Sequence, residues 1–283
     1  MSESIAMPDH IIDEPVLQQA AAFLKGKISA MPQLAAILGS GLGPFAETAT
    51  NTTIVPTNVI PGYPVSTVSG HAGRWVFGEI AGKKILLVQG RVHFYEGYPI
   101  SRVAYPVHLL AELGVKKLIV TNAAGGVNPQ FQPGDLMLID DHINLMFASP
   151  LRGQQQRKWG PRWPDMSDPY SRELQAVALK VATELQIPLR PGMLLVSQGP
   201  SYESAAEVQM ARRLGADALT MSTVPEVIAA VYRRLQVVGI SCITNLATGL
   251  SPNKLDHAEV TETANRISET FARLMRGIVK EIG

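Results

Sequence analysis

The segment "QGRVHFYEGYP" places Arg91, His93, Tyr95 and Glu96 directly after the apolar run "KILLV". In an extended segment alternate side chains face the same way, so Arg91, His93 and Tyr95 project together. A guanidinium is always charged and binds oxyanions through paired N–H groups, which makes Arg91 with His93 a donor fork suited to phosphate. The competing reading is a surface Arg91 paired with Glu96. A second oxyanion candidate lies in "LAAILGSGLGPFAE", where an apolar run meets Gly39, Gly41 and Gly43 with Ser40 at the tip. The dinucleotide fingerprint needs a third glycine where Pro44 stands and an acid near Asn58 to Ile60, and both are missing. What remains is a strand-to-helix turn whose hydroxyl and backbone N–H groups suit one phosphate or sulfate.

Further along, "GHAG" exposes His71 between glycines, as an oxyanion neighbour or as a solvent-facing turn histidine. "TNAAGG" ends an apolar run in Asn122 and Ala123, followed by small residues against which a ligand can lie. "GPSYES" sets Tyr202 and Glu203 at the start of a helical stretch, where Glu203 reads either as an N-terminal helix charge or as a group hydrogen-bonding a ring stacked on Tyr202. "MSTVPEV" adds Ser222, and Met221 as core or as a sugar-packing group; "ITN" ends in Asn245.

Those residues need a scaffold that gathers them. Apolar runs "LAAIL", "RWVFGEI" turning through Ala81-Gly82 into "KILLVQG", "KLIVTN", "DLMLID", "GMLLVSQG", "ADALTMS" and "VVGISCITN" read as strands. They alternate with helix-period stretches at 101–113, 171–185, 203–214, 224–235 and 258–282. The pattern predicts one α/β domain over 1–283, with a central mixed, twisted sheet flanked by helices. Ser40, Gln89 to Arg91, Asn122, Glu203, Ser222 and Asn245 are each predicted just past a strand end, where open α/β sheets bind ligands.

Composition narrows the function classes. With 25 basic and 24 acidic residues the formal charge is +1, so no broad field recruits nucleic acid or an anionic membrane. The single cysteine, Cys242, stands in an apolar run and reads as core, which excludes an internal disulfide framework and a thiolate-rich metal site. The first residues lack a basic-then-apolar pattern and no run is long enough to span a bilayer, so a cytoplasmic protein is expected.

Taken in order, "ILGSGLG", "GHAG", "GRVHFYEGYP", "TNAAGG", "GPSYES", "MSTVPEV" and "ITN" resemble the trimeric, low-molecular-mass purine nucleoside phosphorylases over nearly the whole chain. The resemblance implies reversible phosphorolysis of a purine nucleoside by orthophosphate, a co-substrate, giving free base and ribose 1-phosphate without metal or organic cofactor. Carried over by motif, Ser40, His71, Arg91, His93, Asn122, Ala123 and Ser222 hold phosphate. Tyr95, Met221 and His257 line the ribose, and Tyr202, Glu203 and Asn245 the base. His93, Glu203 and Asn245 are the expected catalytic groups. Asn245 would donate to N7 of the departing purine, and Glu203 would accept from N1–H, which hypoxanthine and guanine carry and neutral adenine lacks. The related methylthioadenosine phosphorylases have aspartate where this chain has Asn245, so 6-oxopurines are expected. His257, otherwise a helix-start histidine, would suit a free 5′-hydroxyl. Trp159, in "RKWGPRW", is matched to an aromatic group that the family offers to a neighbouring subunit's ribose pocket, which implies a homotrimer; local packing of this tryptophan is the alternative.

Overall fold

The computed structural model describes residues 12–68, 70–153, 158–251 and 257–283, the side chains of 257–261 excepted. The strands are β1 (Leu34–Leu38), β2 (Thr50–Pro56), β3 (Arg74–Ile80), β4 (Lys83–Gln89), β5 (Lys117–Gly126), β6 (Leu136–Asn144), β7 (Leu189–Val196), β8 (Ala218–Thr220) and β9 (Gln236–Leu246). The α-helices are α1 (Glu14–Lys25), α2 (Ile100–Val103), α3 (Tyr105–Glu112), α4 (Arg172–Glu184), α5 (Ala205–Arg213), α6 (Val224–Tyr232), α7 (His257–Arg266) and α8 (Ser268–Ile282).

The strands form one mixed sheet in the order β2-β3-β4-β1-β5-β8-β7-β6-β9, and β9 pairs back onto β5. Five of them, β5, β8, β7, β6 and β9, therefore close into a ring, while β1 to β4 continue as an open flap from β5. The pattern predicted an open crevice; closure follows because β5 runs to Gly126 and pairs with β9 along its whole length. The β3–β4 hairpin turns through Ala81 and Gly82, both at positive φ, the two-residue turn that matches strand twist.

Apolar side chains fill both faces. On one, Leu17 and Leu24 of α1, Tyr105 and Leu109 of α3 and Val227 and Ala230 of α6 meet the sheet. On the other, Leu174 and Ala178 of α4 pack with Phe271, Leu274 and Met275 of α8. Cys242 lies in that second core, and burial pushes its thiol up to about 12.

Local chemistry explains where elements begin and break. Asp13 accepts from the Val16 N–H at the start of α1, and Ser204 and Glu207 exchange hydrogen bonds in a capping box at α5. The stretch 101–113 divides at Ala104, where Pro106, in the first turn of α3, has no N–H to give to the Arg102 carbonyl. The long C-terminal helical stretch divides at Ile267. The glycine loop after β1 leads into a 3₁₀ turn, Gly43–Thr48, and then antiparallel β2, so no α-helix N-terminus stands behind it.

Candidate active site

A cavity of about 380 Å³ opens where β1, β4 and β8 end and beside the last residues of β5 and β9. Ten of the predicted residues line it: Ser40, Arg91, His93, Tyr95, Ala123, Tyr202, Glu203, Met221, Ser222 and Asn245. Asn122 and Asn245 lie within β5 and β9, not past their ends, because both strands continue beyond a register shift at Ala124/Gly125.

The Arg91 end is buried and braced. Gly39 is required here, since a Cβ would stand 2.6 Å from Asn122 Cα; its N–H donates to Thr121 Oγ1 at 3.0 Å, pinning the loop to β5. Arg91, 3% exposed, donates from Nε to both Glu226 oxygens at 2.9 and 3.0 Å and from Nη1 to the Thr121 carbonyl at 2.9 Å. Its Nη2 also lies 2.9 Å from Glu226 Oε2, so the carboxylate covers the Nε–Nη2 edge of the guanidinium. Arg91 is thus paired with Glu226 from α6, not with Glu96.

Glu96 accepts instead from the His93 N–H at 2.6 Å and the Thr67 hydroxyl at 2.8 Å, and lies 3.3 Å from His93 Nδ1. Burial alone would raise its pKa, but the hydrogen bonds from His93 and Thr67 outweigh that and hold it down at about 2. Burial lowers the His93 pKa against the pull of Glu96. The His93 ring stacks on Tyr95 at 4.7 Å, although 94–96 form a 3₁₀ turn and not the predicted extended segment.

His71 does not line the cavity but backs Ser40, whose Oγ is 3.3 Å from its Nε2. Burial, reinforced by His93, lowers the His71 pKa to about 4, so the ring is neutral near pH 7. Its Nδ1–H donates to the Arg91 carbonyl at 2.7 Å, which leaves the lone pair on Nε2.

Ser222 follows β8 and precedes a tight turn at Thr223, where φ is 75° and ψ −53° and the Val224 N–H donates to the Ser222 carbonyl at 2.8 Å. This is a strained γ-turn for a β-branched residue. The buried Asn122 braces it by donating from Nδ2 to Thr223 Oγ1 at 3.0 Å. Asn122 therefore supports the Ser222 turn from behind the cavity instead of lining it.

The Glu203 end is more open. Tyr202 is 41% exposed, and Glu203 precedes the N-cap Ser204 and accepts from Ser197 Oγ at 2.7 Å. Asn245 Oδ1 accepts from Thr244 Oγ1 at 2.9 Å, while Nδ2 donates one hydrogen to the Leu246 carbonyl at 3.1 Å. That assignment leaves the second Nδ2 hydrogen for the cavity.

One predicted ribose residue, Trp159, is not brought here, and the side chain of another, His257 at the start of α7, lies outside the described residues. Trp159 is 6% exposed within its own chain, with its ring 5.3 Å from His108 and the Arg233 guanidinium 4.5 Å above it. Within its own chain Trp159 thus packs locally beneath Arg233, as the alternative reading of this tryptophan has it. Trp163, four residues on, is 83% exposed. Sequence reasoning also missed Glu226 and Thr223. An acid in the first turn of a helix is ordinarily a dipole partner, and nothing local in "VPEV" marks it as the counter-ion of a residue 135 positions away.

Residues 33–280 match the family model of the phosphorylase superfamily. The chain is 46% identical over 271 residues to purine nucleoside phosphorylase 1 of Geobacillus stearothermophilus, covering 96% of this chain and 99% of that one. It superposes on Schistosoma mansoni purine nucleoside phosphorylase in complex with inosine with a TM-score of 0.91, at 33% identity and over 96% and 98% of the two chains. Isoform 2 from the same organism, in complex with cytosine and ribose-1-phosphate, gives a TM-score of 0.91 at 35% identity over 98% and 99%. The order of motifs, the sheet and the cavity agree with these matches, and the chain belongs to the phosphorylase superfamily, among its purine nucleoside phosphorylases.

Proposed function

We propose that this purine nucleoside phosphorylase cleaves 6-oxopurine nucleosides such as inosine and guanosine with orthophosphate, releasing base and (deoxy)ribose 1-phosphate for purine salvage. The observation that carries the reading is one cavity holding both an oxyanion end (Ser40, Arg91, His93, Ser222) and a base-reading end (Tyr202, Glu203, Asn245). Glycosidic cleavage leaves positive charge on the sugar and negative charge on the purine, and both must be stabilised as they develop. Phosphate at the Arg91 end serves as nucleophile and counter-charge; Ser40, whose hydroxyl can donate to the Nε2 lone pair of His71, suits the remaining phosphate proton as its acceptor. The free Nδ2 hydrogen of Asn245 suits purine N7, and Glu203, held through Ser197, suits N1–H. Tyr95 and Met221 face the ribose, with His257 at the 5′-hydroxyl.

The reaction as proposed needs no metal or organic cofactor. Among the described residues no group of three His, Cys, Asp or Glu side chains is placed to hold a metal ion, and no helix is long and apolar enough to cross a membrane. A homotrimer in the cytoplasm remains the proposed setting. In it Trp163, the exposed tryptophan of the 149–171 segment, replaces Trp159 as the side chain offered to a neighbouring ribose pocket.

The test is base release from inosine, guanosine, adenosine and methylthioadenosine, each with and without orthophosphate. Phosphate-dependent release of hypoxanthine and guanine is expected. Release without phosphate would make the enzyme a hydrolase, and dominant activity on adenosine would overturn the roles of Glu203 and Asn245.

A further inference from the structure

We propose that Glu226 is a charge-cancelling and positioning residue for phosphorolysis: it fixes the Arg91 fork while removing its net charge, so that phosphate is held by directed donors and stays reactive. The inference rests on the reading above that Arg91 meets phosphate. Both partners are buried, Arg91 at 3% and Glu226 at 1% exposure, and the carboxylate takes the Nε–H through both oxygens. The Thr121 carbonyl takes one hydrogen of Nη1. Nη2 also lies 2.9 Å from Glu226 Oε2, so the carboxylate covers the Nε–Nη2 edge and the Nη1–Nη2 edge is what the guanidinium has left for a ligand. Glu226 and Thr121 thereby choose which two nitrogens face the ligand.

The electrostatics follow from the same contacts. Arg91 is the one lysine or arginine among the described residues that line the cavity, and Glu226 balances it. Around this pair stand His71 and His93, both kept neutral near pH 7 chiefly by burial, and Glu96, which is ionised against His93 and Thr67. The protein thus brings no net positive charge to the phosphate. A site with an unmasked arginine would bind ground-state phosphate more tightly and weaken its attraction to the cationic sugar that forms in the transition state. Tight ground-state binding of that kind does not raise kcat.

The experiment compares wild type, Glu226→Gln, Arg91→Gln and the double variant by steady-state kinetics in inosine and phosphate, with thermal melts over a phosphate series. Glu226→Gln is expected to lower the phosphate KM roughly tenfold and kcat at least as much, leaving the inosine KM within about twofold. Phosphate should also raise its Tm more than that of wild type, because bound phosphate replaces the lost counter-ion. Arg91→Gln leaves Glu226 facing the anion, so its phosphate KM should rise about 100-fold, and adding Glu226→Gln should recover about tenfold of that. The double variant is a neutral pair of similar shape and keeps the question answerable if Glu226→Gln alone does not fold. A phosphate KM in Glu226→Gln that is unchanged or raised, or no recovery in the double variant, overturns the inference. If instead wild type releases base without phosphate, or Arg91→Gln leaves the phosphate KM untouched, the reading of Arg91 itself has failed.

Discussion

At the Arg91 end of the cavity, Arg91, His93, Asn122 and Ser222 are buried and tied to three different strands and to α6. At the Glu203 end, Tyr202 is 41% exposed and stands with Glu203 on the segment leading to the capping box of α5. The first arrangement is pre-organised for one small, invariant co-substrate; the second can admit and release a flat base. Substrate selectivity should therefore be altered with little loss of fold at the Glu203 end, and catalysis should not be separable from fold at the Arg91 end.

The strongest way to break this contrast is Arg91→Met. It removes the oxyanion fork and strands Glu226, so kcat/KM for phosphate should fall by about 10²–10³. Stability should drop by about 3–5 kcal/mol, the cost of a buried charge without its partner. Chemical denaturation alongside phosphate kinetics checks both. A variant as stable as wild type would mean that the Arg91 end is not braced as the contacts indicate.

The matching change at the open end is Asn245→Asp. A carboxylate can no longer donate to N7 but accepts from a 6-amino group, so the inosine-to-adenosine ratio of kcat/KM should fall by about 10². Competition assays with both nucleosides measure it, and unchanged selectivity would refute the account of base recognition. Thermal stability should move far less than in Arg91→Met, because the bond to Thr244 Oγ1 survives in the variant.

The two tryptophans of the 149–171 segment extend the contrast beyond the cavity. Trp159→Ala should cost about 3–5 kcal/mol, the usual range for emptying a buried aromatic site, with little effect on substrate KM in the protein that folds. Trp163→Ala should leave stability within about 0.5 kcal/mol and raise the nucleoside KM several-fold if the assembled enzyme uses it. The reverse pattern would restore the original reading of Trp159.

What the sequence made legible follows the same division. Residues whose chemistry is local, such as Ser40 after a glycine or Arg91 and His93 after an apolar run, line one cavity because strand ends converge. The ring closed by β5 and β9 was not legible, since pairing across more than a hundred residues leaves no periodic trace. Strand β2 escaped because it is an exposed edge whose threonines do not alternate with apolar residues. Helix α1 does carry the apolar spacing Leu17, Ala20, Ala21, Leu24, yet it was not among the predicted elements. Glu226 and Trp159 show the remaining limit: their types were visible, but the partners that define their roles come from distant segments.

The smallest expected effect is a pH dependence set by groups around the Arg91 end. An unfolded histidine titrates near 6.5, whereas burial and the nearby His93 bring His71 down to about 4 in the fold. Between those values the unfolded chain binds more protons, so stability is lost as pH falls from 6.5 toward 4. Glu96 acts lower: its ordinary value of 4.5 is depressed to about 2 by hydrogen bonds that outweigh its burial, so its contribution is full above 4.5 and is lost between 4.5 and 2. His108, fully buried and lowered to about 3, adds to the first step from outside the cavity. His71→Gln should therefore flatten, without abolishing, the fall in Tm between pH 6.5 and 4, and leave the lower step in place. Melts across this range measure both, and a first step that is as steep in the variant would remove His71 from the set of groups that the fold keeps neutral.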